Sequence, residues 1–305
     1  MSKDMDPMQP PVVSIVTPVY NRAGFLSRLF ECVDTQTFQD FEHIIVDDKS
    51  TDEGPRILRE RANRHPGTRF WVNEYKKGVS GARNFALDHA TGAYVALLDS
   101  DDFWSADHLE AAVTFLDAHP EVSLYFTNRL MVDQHDTVIN SFFENLRSIQ
   151  EMPAQVIGED FRIAEIAPMK IFLKGNPVTT SGVVIRRSML GDIRFDDNLT
   201  LVEDRDFWIR VAMESGGKLA FRMAPVVRYM RHSGGTMSDS HSFGIRWMSA
   251  QLALYDRCEA RYTLDTEERR MLREQRQKIR GEYAYHLWHA GKKLRGVTEY
   301  VRSRF

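Results

Sequence analysis

Two short apolar runs in the first third of the chain end abruptly in carboxylates. Phe41–Val46 stops at Asp47-Asp48, and Tyr94–Leu98 stops at Asp99-Ser100-Asp101-Asp102. Both belong to a longer alternation. Val12–Val16, Arg69–Val72 and Val122–Phe126 are further apolar runs, and helix-spaced segments over Gly24–Thr35, Gly54–Arg64, Gly81–His89 and Ala106–His119 separate the five. Continuous apolar strands divided by helices predict a parallel sheet covered on both faces. In open sheets of this kind, ligands bind beyond the carboxyl ends of the strands. The pattern therefore predicts that acids from separate strands gather at one rim.

The second half is harder to read. Asn128–Lys174 has weak periodicity and is expected to hold loops and a helix. Val183–Ile185, Lys218–Phe221 and Val226–Met230 read as short strands, and Asp204–Glu214 as a helix. From Ser242 onward the pattern is helical. A stripe at Leu272, Ile279, Tyr283, Leu287, Ala290, Leu294, Val297 and Val301 steps as one helical face does, with breaks expected at Gly281, Gly291 and Gly296. The expected units are a disordered tail over 1–11, an α/β domain over 12–240 and a helical C-terminal extension over 241–305. Within the domain, a first half (12–128) precedes a second (129–240).

Composition excludes several classes. No uncharged apolar run approaches the ~18 residues of a membrane span. Two cysteines, Cys32 and Cys258, make neither a disulfide framework nor a zinc cluster. The start MSKDMDPMQPP carries charge and proline where a signal peptide needs an apolar stretch, so the expected location is the cytoplasm. A net charge of −3 argues against a general nucleic-acid binder. That charge is unevenly placed: from Arg269 to the end, 11 Lys and Arg face 3 acids, a net +8 that leaves −11 on the rest.

Like charges as close as Asp99, Asp101 and Asp102 repel unless a cation sits among them. Carboxylates with waters and phosphate oxygens are the usual hold on Mg²⁺ or Mn²⁺. The alternative is a helix N-terminus, with Ser105 capping the helix at Ala106. Asp47 and Asp48 can accept from a ribose hydroxyl or a base N–H, or form a turn with Ser50 and Asp52. Tyr20 can stack on a base or be a half-buried ring. Neither G-x-G-x-x-G after the first strand nor G-x-x-x-x-G-K-[ST] occurs, so any phosphates must be held by a metal and basic side chains.

In order and spacing, Thr17-Pro18-Val19-Tyr20-Asn21, Val46-Asp47-Asp48-Lys49-Ser50-Thr51-Asp52, Gly78-Val79-Ser80-Gly81-Ala82-Arg83-Asn84 and Leu98-Asp99-Ser100-Asp101-Asp102 resemble family 2 glycosyltransferases of the GT-A fold. The likeness continues through Ser181–Arg187, Phe195-Asp196, Glu203–Arg210 and Tyr229-Met230-Arg231-His232. It implies a Rossmann-like, mostly parallel α/β sheet flanked by helices. It also implies inverting transfer of a sugar from a nucleotide diphosphate sugar to an acceptor hydroxyl, assisted by Mn²⁺ or Mg²⁺, in polysaccharide or glycoconjugate biosynthesis.

Carried over by position, Pro18, Tyr20 and Asp48 frame the base with Asp47 nearby, and Arg83 anchors the nucleotide. Asp99 faces ribose or metal, Asp101 is the main metal ligand, and Asp102 is an added one. Asp204 matches the catalytic base, with Glu203 beside it. Arg231 and His232 fall where the family closes over the diphosphate, His232 as a further metal candidate.

Uridine is the default nucleotide, because an Asp can accept from its N3–H. The resemblance makes 12–128 the nucleotide-binding half and 129–240 the acceptor-binding half, and the expected acceptor is a glycan or a lipid-linked sugar. The basic arm is expected to meet an anionic membrane, a second copy in a homodimer, or its own domain. Two other functions remain open at this point: a sugar-1-phosphate nucleotidyltransferase, whose Gly-rich loop is missing after the first strand, and a non-catalytic nucleotide-sugar-binding scaffold.

Overall fold

The computed structural model describes residues 10–133, 135–230 and 241–303. The expected tail over 1–11 falls mostly outside them. The strands are β1 (Val13–Val19), β2 (Phe41–Asp47), β3 (Thr68–Val72), β4 (Tyr94–Leu97), β5 (Asp102–Trp104), β6 (Val122–Val132), β7 (Val138–Ser141), β8 (Ala154–Ile157), β9 (Phe161–Ala164), β10 (Val184–Arg186) and β11 (Lys218–Met230). The helices are α1 (Leu26–Asp34), α2 (Gly54–Arg64), α3 (Val79–His89), α4 (His108–Ala118), α5 (Arg147–Gln150), α6 (Pro168–Lys174), α7 (Arg187–Leu190), α8 (Glu203–Glu214), α9 (His241–Arg261), α10 (Thr266–His289) and α11 (Lys293–Arg302).

All strands join one sheet with the central order β3-β2-β1-β4-β10-β6-β11-β9-β8. The first four are parallel, as the apolar runs predict. Short β10 enters antiparallel to both β4 and β6, so the second half is mixed. Side chains alternate across the sheet. Val16, Ile44 and Val46 face the layer holding α3, α6 and α8, while Val13, Ile15 and Ile45 face the layer of α1, α2 and α4. Both faces are therefore covered, which is why β1 and β2 read as unbroken apolar runs.

Three readings of local structure need correction. First, the helix expected from Ala106 starts at His108. Asp102–Trp104 forms β5 against β11, and Ser105 N–H donates to Val226 O, which holds the chain extended for longer. Second, Lys218–Met230 is one strand, not two; irregular pairing around Pro225, which has no N–H to donate, disguised it. Third, 128–174 contains the end of β6 and all of β7, β8 and β9, besides α5 and α6. These strands are short or lie near the sheet edge, and their exposed positions blur the apolar pattern.

The C-terminal helices pack on the same core. Leu254, Tyr255, Leu272, Ile279, Tyr283 and Leu287 are buried with α6 and α8. Of the expected breaks only Gly291 is one, at φ +77°, just past the end of α10. Gly281 and Gly296 lie inside helices. The predicted stripe stops there, and Leu294, Val297 and Val301 are exposed.

Candidate active site

The loops at the carboxyl ends of β1 and β2 are tied together. Asn21 N–H donates to Ser50 Oγ (2.9 Å), Thr51 N–H to Asn21 Oδ1 (2.8 Å) and Ala23 N–H to Asp52 Oδ2 (2.9 Å). Asn21 and Lys49 take left-handed backbone at φ 50° and 66°, which turns both loops sharply at the rim. Pro18 is buried inside β1. Tyr20, just beyond it, is exposed, with Lys77 Nζ 4.6 Å from its ring centroid.

Asp48 is buried. Its Oδ1 accepts from Asn73 Nδ2 (2.6 Å) and its Oδ2 from Gly78 N–H (2.8 Å), so it pins the loop that leads into α3. Asp47 Oδ2 accepts from Ser50 N–H (3.1 Å), the turn read as an alternative in the sequence. Its Oδ1 is buried without a hydrogen-bond partner among the described residues.

The acids after β4 diverge, each toward its own partner. Asp99 Oδ1 accepts from Arg83 Nη2 (2.6 Å), Asp101 Oδ2 from Arg22 Nε (3.2 Å) and Asp102 Oδ2 from Ser181 Oγ. Asp102 is 3% exposed, and burial, then the Asp99 charge, push its carboxyl well above the usual carboxylate range. The side chains of Asp99 and Asp101 are 29% and 24% exposed. Among the described residues no three His, Cys, Asp or Glu side chains gather as a ligand set. Two accessible hard carboxylates nevertheless suit a hydrated divalent cation that a diphosphate helps to hold. Asp102 is buried beside them, with Ser181 Oγ donating to its Oδ2.

Arg83 joins two distant parts of the chain. It is buried in α3, bonded to Asp99, and its Nη1 lies 3.9 Å from Glu203 Oε1 at the start of α8. Burial opposes its charge, but Asp99 and Glu203 more than reverse that, so its pKa is raised. Glu203 and Asp204 are both raised. Burial is the main cause; Asp204 adds to the shift of Glu203, while the Arg205 N–H and Arg83 oppose that of Asp204. Asp204 Oδ1 accepts from Arg205 N–H (2.6 Å). The buried Arg205 guanidinium in turn donates to Gln251 Oε1, Phe172 O and Tyr255 Oη, which fixes the first turn of α8 to α6 and α9.

Asp204 also lines a cavity of about 400 Å³ whose walls include Lys174, Trp247, Gln251, Lys278 and Glu282. Arg231 and His232 lie outside the described residues.

Four residues here escape a motif reading. Asn73, Ser181 and Arg22 hold Asp48, Asp102 and Asp101 respectively. Arg129 on β6 lies between the rings of Phe142 and Tyr229, within the fields of Asp102 and Asp204. A lone Arg in the weakly patterned 128–174 stretch gives no signal by itself. Ser181 begins the Ser181–Arg187 motif, but no local pattern shows that its hydroxyl turns to Asp102.

The glycosyl transferase family 2 profile matches residues 14–169, half of the chain. The chain belongs to glycosyltransferase family 2. It is therefore a nucleotide-sugar-dependent glycosyltransferase, which sets aside the nucleotidyltransferase reading. Among similar proteins is the amylovoran biosynthesis glycosyltransferase AmsB of Erwinia amylovora, 28% identical over 78% of this chain and 76% of that one. Two solved structures share the GT-A fold. TarS 1–349 of S. aureus in complex with UDP-GlcNAc has a TM-score of 0.66 and 19% identity, over 93% of this chain and 81% of that one. The mannosyltransferase PcManGT of Pyrobaculum calidifontis, in complex with GDP-Man and Mn²⁺, has a TM-score of 0.63 and 20% identity, over 98% and 76%.

Proposed function

We propose that this family 2 enzyme transfers a sugar, with inversion, from a UDP-sugar to the hydroxyl of a glycan or lipid-linked acceptor, with Asp204 as the base. The observation that carries the reading is the Arg83 bridge, which brings Asp99 at the end of the nucleotide-binding strands to Glu203 and Asp204 at the head of α8. The rim and the base thus share one electrostatic site although they are a hundred residues apart in sequence.

On this reading Tyr20 stacks on uracil, and Asp48, held rigid by Asn73 and Gly78, accepts from its N3–H through a remaining lone pair. Asp47 lies beside it. Asp99 and Asp101 hold Mn²⁺ or Mg²⁺, which when bound supplies Lewis-acid stabilisation of the departing diphosphate. The likeness to a fold solved with GDP-Man and Mn²⁺ supports the metal. Arg129, within the fields of Asp102 and Asp204, adds positive charge where the leaving group develops its own.

The acceptor sugar enters the cavity walled by Asp204, Trp247 and Lys278. Asp204 takes the acceptor hydroxyl's proton as that oxygen bonds to the anomeric carbon. The anomeric carbon–phosphate oxygen bond breaks, and the electron pair leaves with the nucleoside diphosphate. Burial raises the Asp204 pKa and so strengthens it as a base. By analogy with AmsB, the product belongs to a polysaccharide or glycoconjugate pathway.

Thermal shift with UDP-, GDP- and TDP-sugars, each with and without Mn²⁺, tests the donor assignment, since a ligand that binds only the folded chain raises its melting temperature. UDP-sugars with Mn²⁺ should give the largest rise. A larger rise with GDP-sugars contradicts the choice of uridine.

A further inference from the structure

The last helix is mounted inside out. At 100° per residue, Leu294, Val297 and Val301 of α11 share one face, while Gly296 and Glu299 lie on the opposite one. An amphipathic helix on a globular protein normally turns its apolar face to the core. Here the other face is buried. Gly296 packs so closely on α10 that a Cβ there would lie 3.1 Å from Ala284 O, and buried Glu299 is 3.8 Å from Arg280 and 2.9 Å from Arg302. The apolar face points outward: Leu294 is 89% exposed, and Val297 and Val301 are each 50% exposed. Trp288, near the end of α10, is 49% exposed, with Lys293 Nζ 5.5 Å from its ring centroid.

The charge around this ridge selects its occupant. Lys293 flanks the apolar face on one side and Arg295 on the other, with Lys292 at the helix start; all three are exposed, and Arg302, paired to Glu299, lies beside Arg295. A second copy placed on the ridge by a two-fold axis would set these cations against themselves. An anionic lipid surface accepts all of them. The apolar side chains enter the acyl boundary, the long basic side chains reach back to the headgroups, and Trp288 sits at the interface.

We propose that the α10–α11 ridge docks the enzyme peripherally on an anionic membrane surface. Among the described residues no helix is long and apolar enough to cross a membrane, so the contact is interfacial. The ridge also has a fixed relation to the cavity beside Asp204: Glu282, which lines that cavity, and Trp288 lie on the same helix, about 9 Å apart along its axis. Docking therefore holds the cavity close to the lipid surface. The docking proposal itself does not depend on the choice of donor or acceptor.

Flotation of the full chain with phosphatidylcholine–phosphatidylglycerol vesicles tests this, with pure phosphatidylcholine vesicles in parallel. The chain should float with the anionic vesicles, about tenfold less with the neutral ones, and progressively less as salt rises. A Leu294→Glu/Val297→Glu variant, altered only at exposed positions, should lose vesicle binding by about tenfold while keeping its melting temperature. A Lys293→Gln/Arg295→Gln variant should lose the preference for anionic over neutral lipid. Parent binding no greater than that of the Leu294→Glu/Val297→Glu variant overturns the proposal. So does a parent dimer, seen by light scattering, that this variant converts to monomer without any vesicle binding by the parent.

Discussion

Arg83 on α3 donates a 2.6 Å hydrogen bond to Asp99 beyond β4, and the same guanidinium lies 3.9 Å from Glu203. One buried cation thus neutralises acids delivered by two separate parts of the fold. Arg83→Met keeps most of the volume and removes the charge. It should destabilise the chain by on the order of 2–3 kcal/mol, below the cost for a fully buried pair because the Asp99 side chain remains 29% exposed. Urea midpoints check this, and titration with the UDP-sugar should show weaker binding in the same variant.

The raised Asp204 and Glu203 carboxyls have an effect opposite to that of an ordinary salt-bridged acid. Burial makes the folded chain hold these protons more tightly than the unfolded chain does. Their contribution to stability is fully present below the ordinary values of 3.8 and 4.5, and is lost as pH rises through the raised ones. Asp204→Asn should therefore melt above the parent at neutral pH, with the gain disappearing below pH 3.8. The base works only when ionised, so the acid limb of kcat/KM should lie above 3.8 in the parent. Melting curves and rate profiles across pH measure both.

The rim acids should separate by metal response. Asp101→Asn should lose Mn²⁺ stimulation, and chelator should abolish the parent's activity. Asp102→Asn should keep the stimulation, because that buried carboxyl serves Ser181 and the β5 strand. Ser181→Ala, which leaves Asp102 without that donor, should cost about 1–3 kcal/mol by thermal or urea unfolding.

Gly81 sits where the first turn of α3 meets the preceding loop, and a Cβ there would lie 1.9 Å from Lys76 O. That contact is backbone and has no side chain to swing aside. Gly81→Ala should destabilise by about 1–3 kcal/mol and displace Arg83, two residues on, lowering donor affinity as well. Melting and donor titration together check it.

The first half of the fold was legible because β1, β2 and β4 are buried on both faces, and the β2 and β4 runs stop sharply at carboxylates. Regions 128–174 and 218–230 were less so, because short or peripheral strands and the Pro225 irregularity weaken the period of two. Asp99, Arg83 and Asp204 could be named from motif order, but that Arg83 also reaches Glu203 is a tertiary fact. Nothing local announces that Asp102 opens a strand and that its carboxylate accepts from Ser181. The stripe through α10 predicted its buried face as far as Leu287. A single left-handed Gly291 then reversed the orientation of everything after it.

Asp204→Asn, assayed for turnover and for donor binding in the same preparation, tests the central claim most directly. The account predicts a kcat lower by roughly 10²–10⁴-fold with unchanged affinity for the donor, the signature of a lost base in an intact pocket. Turnover equal to the parent's would remove Asp204 as the base and, with it, the reading of the α8 head as the catalytic side of the site.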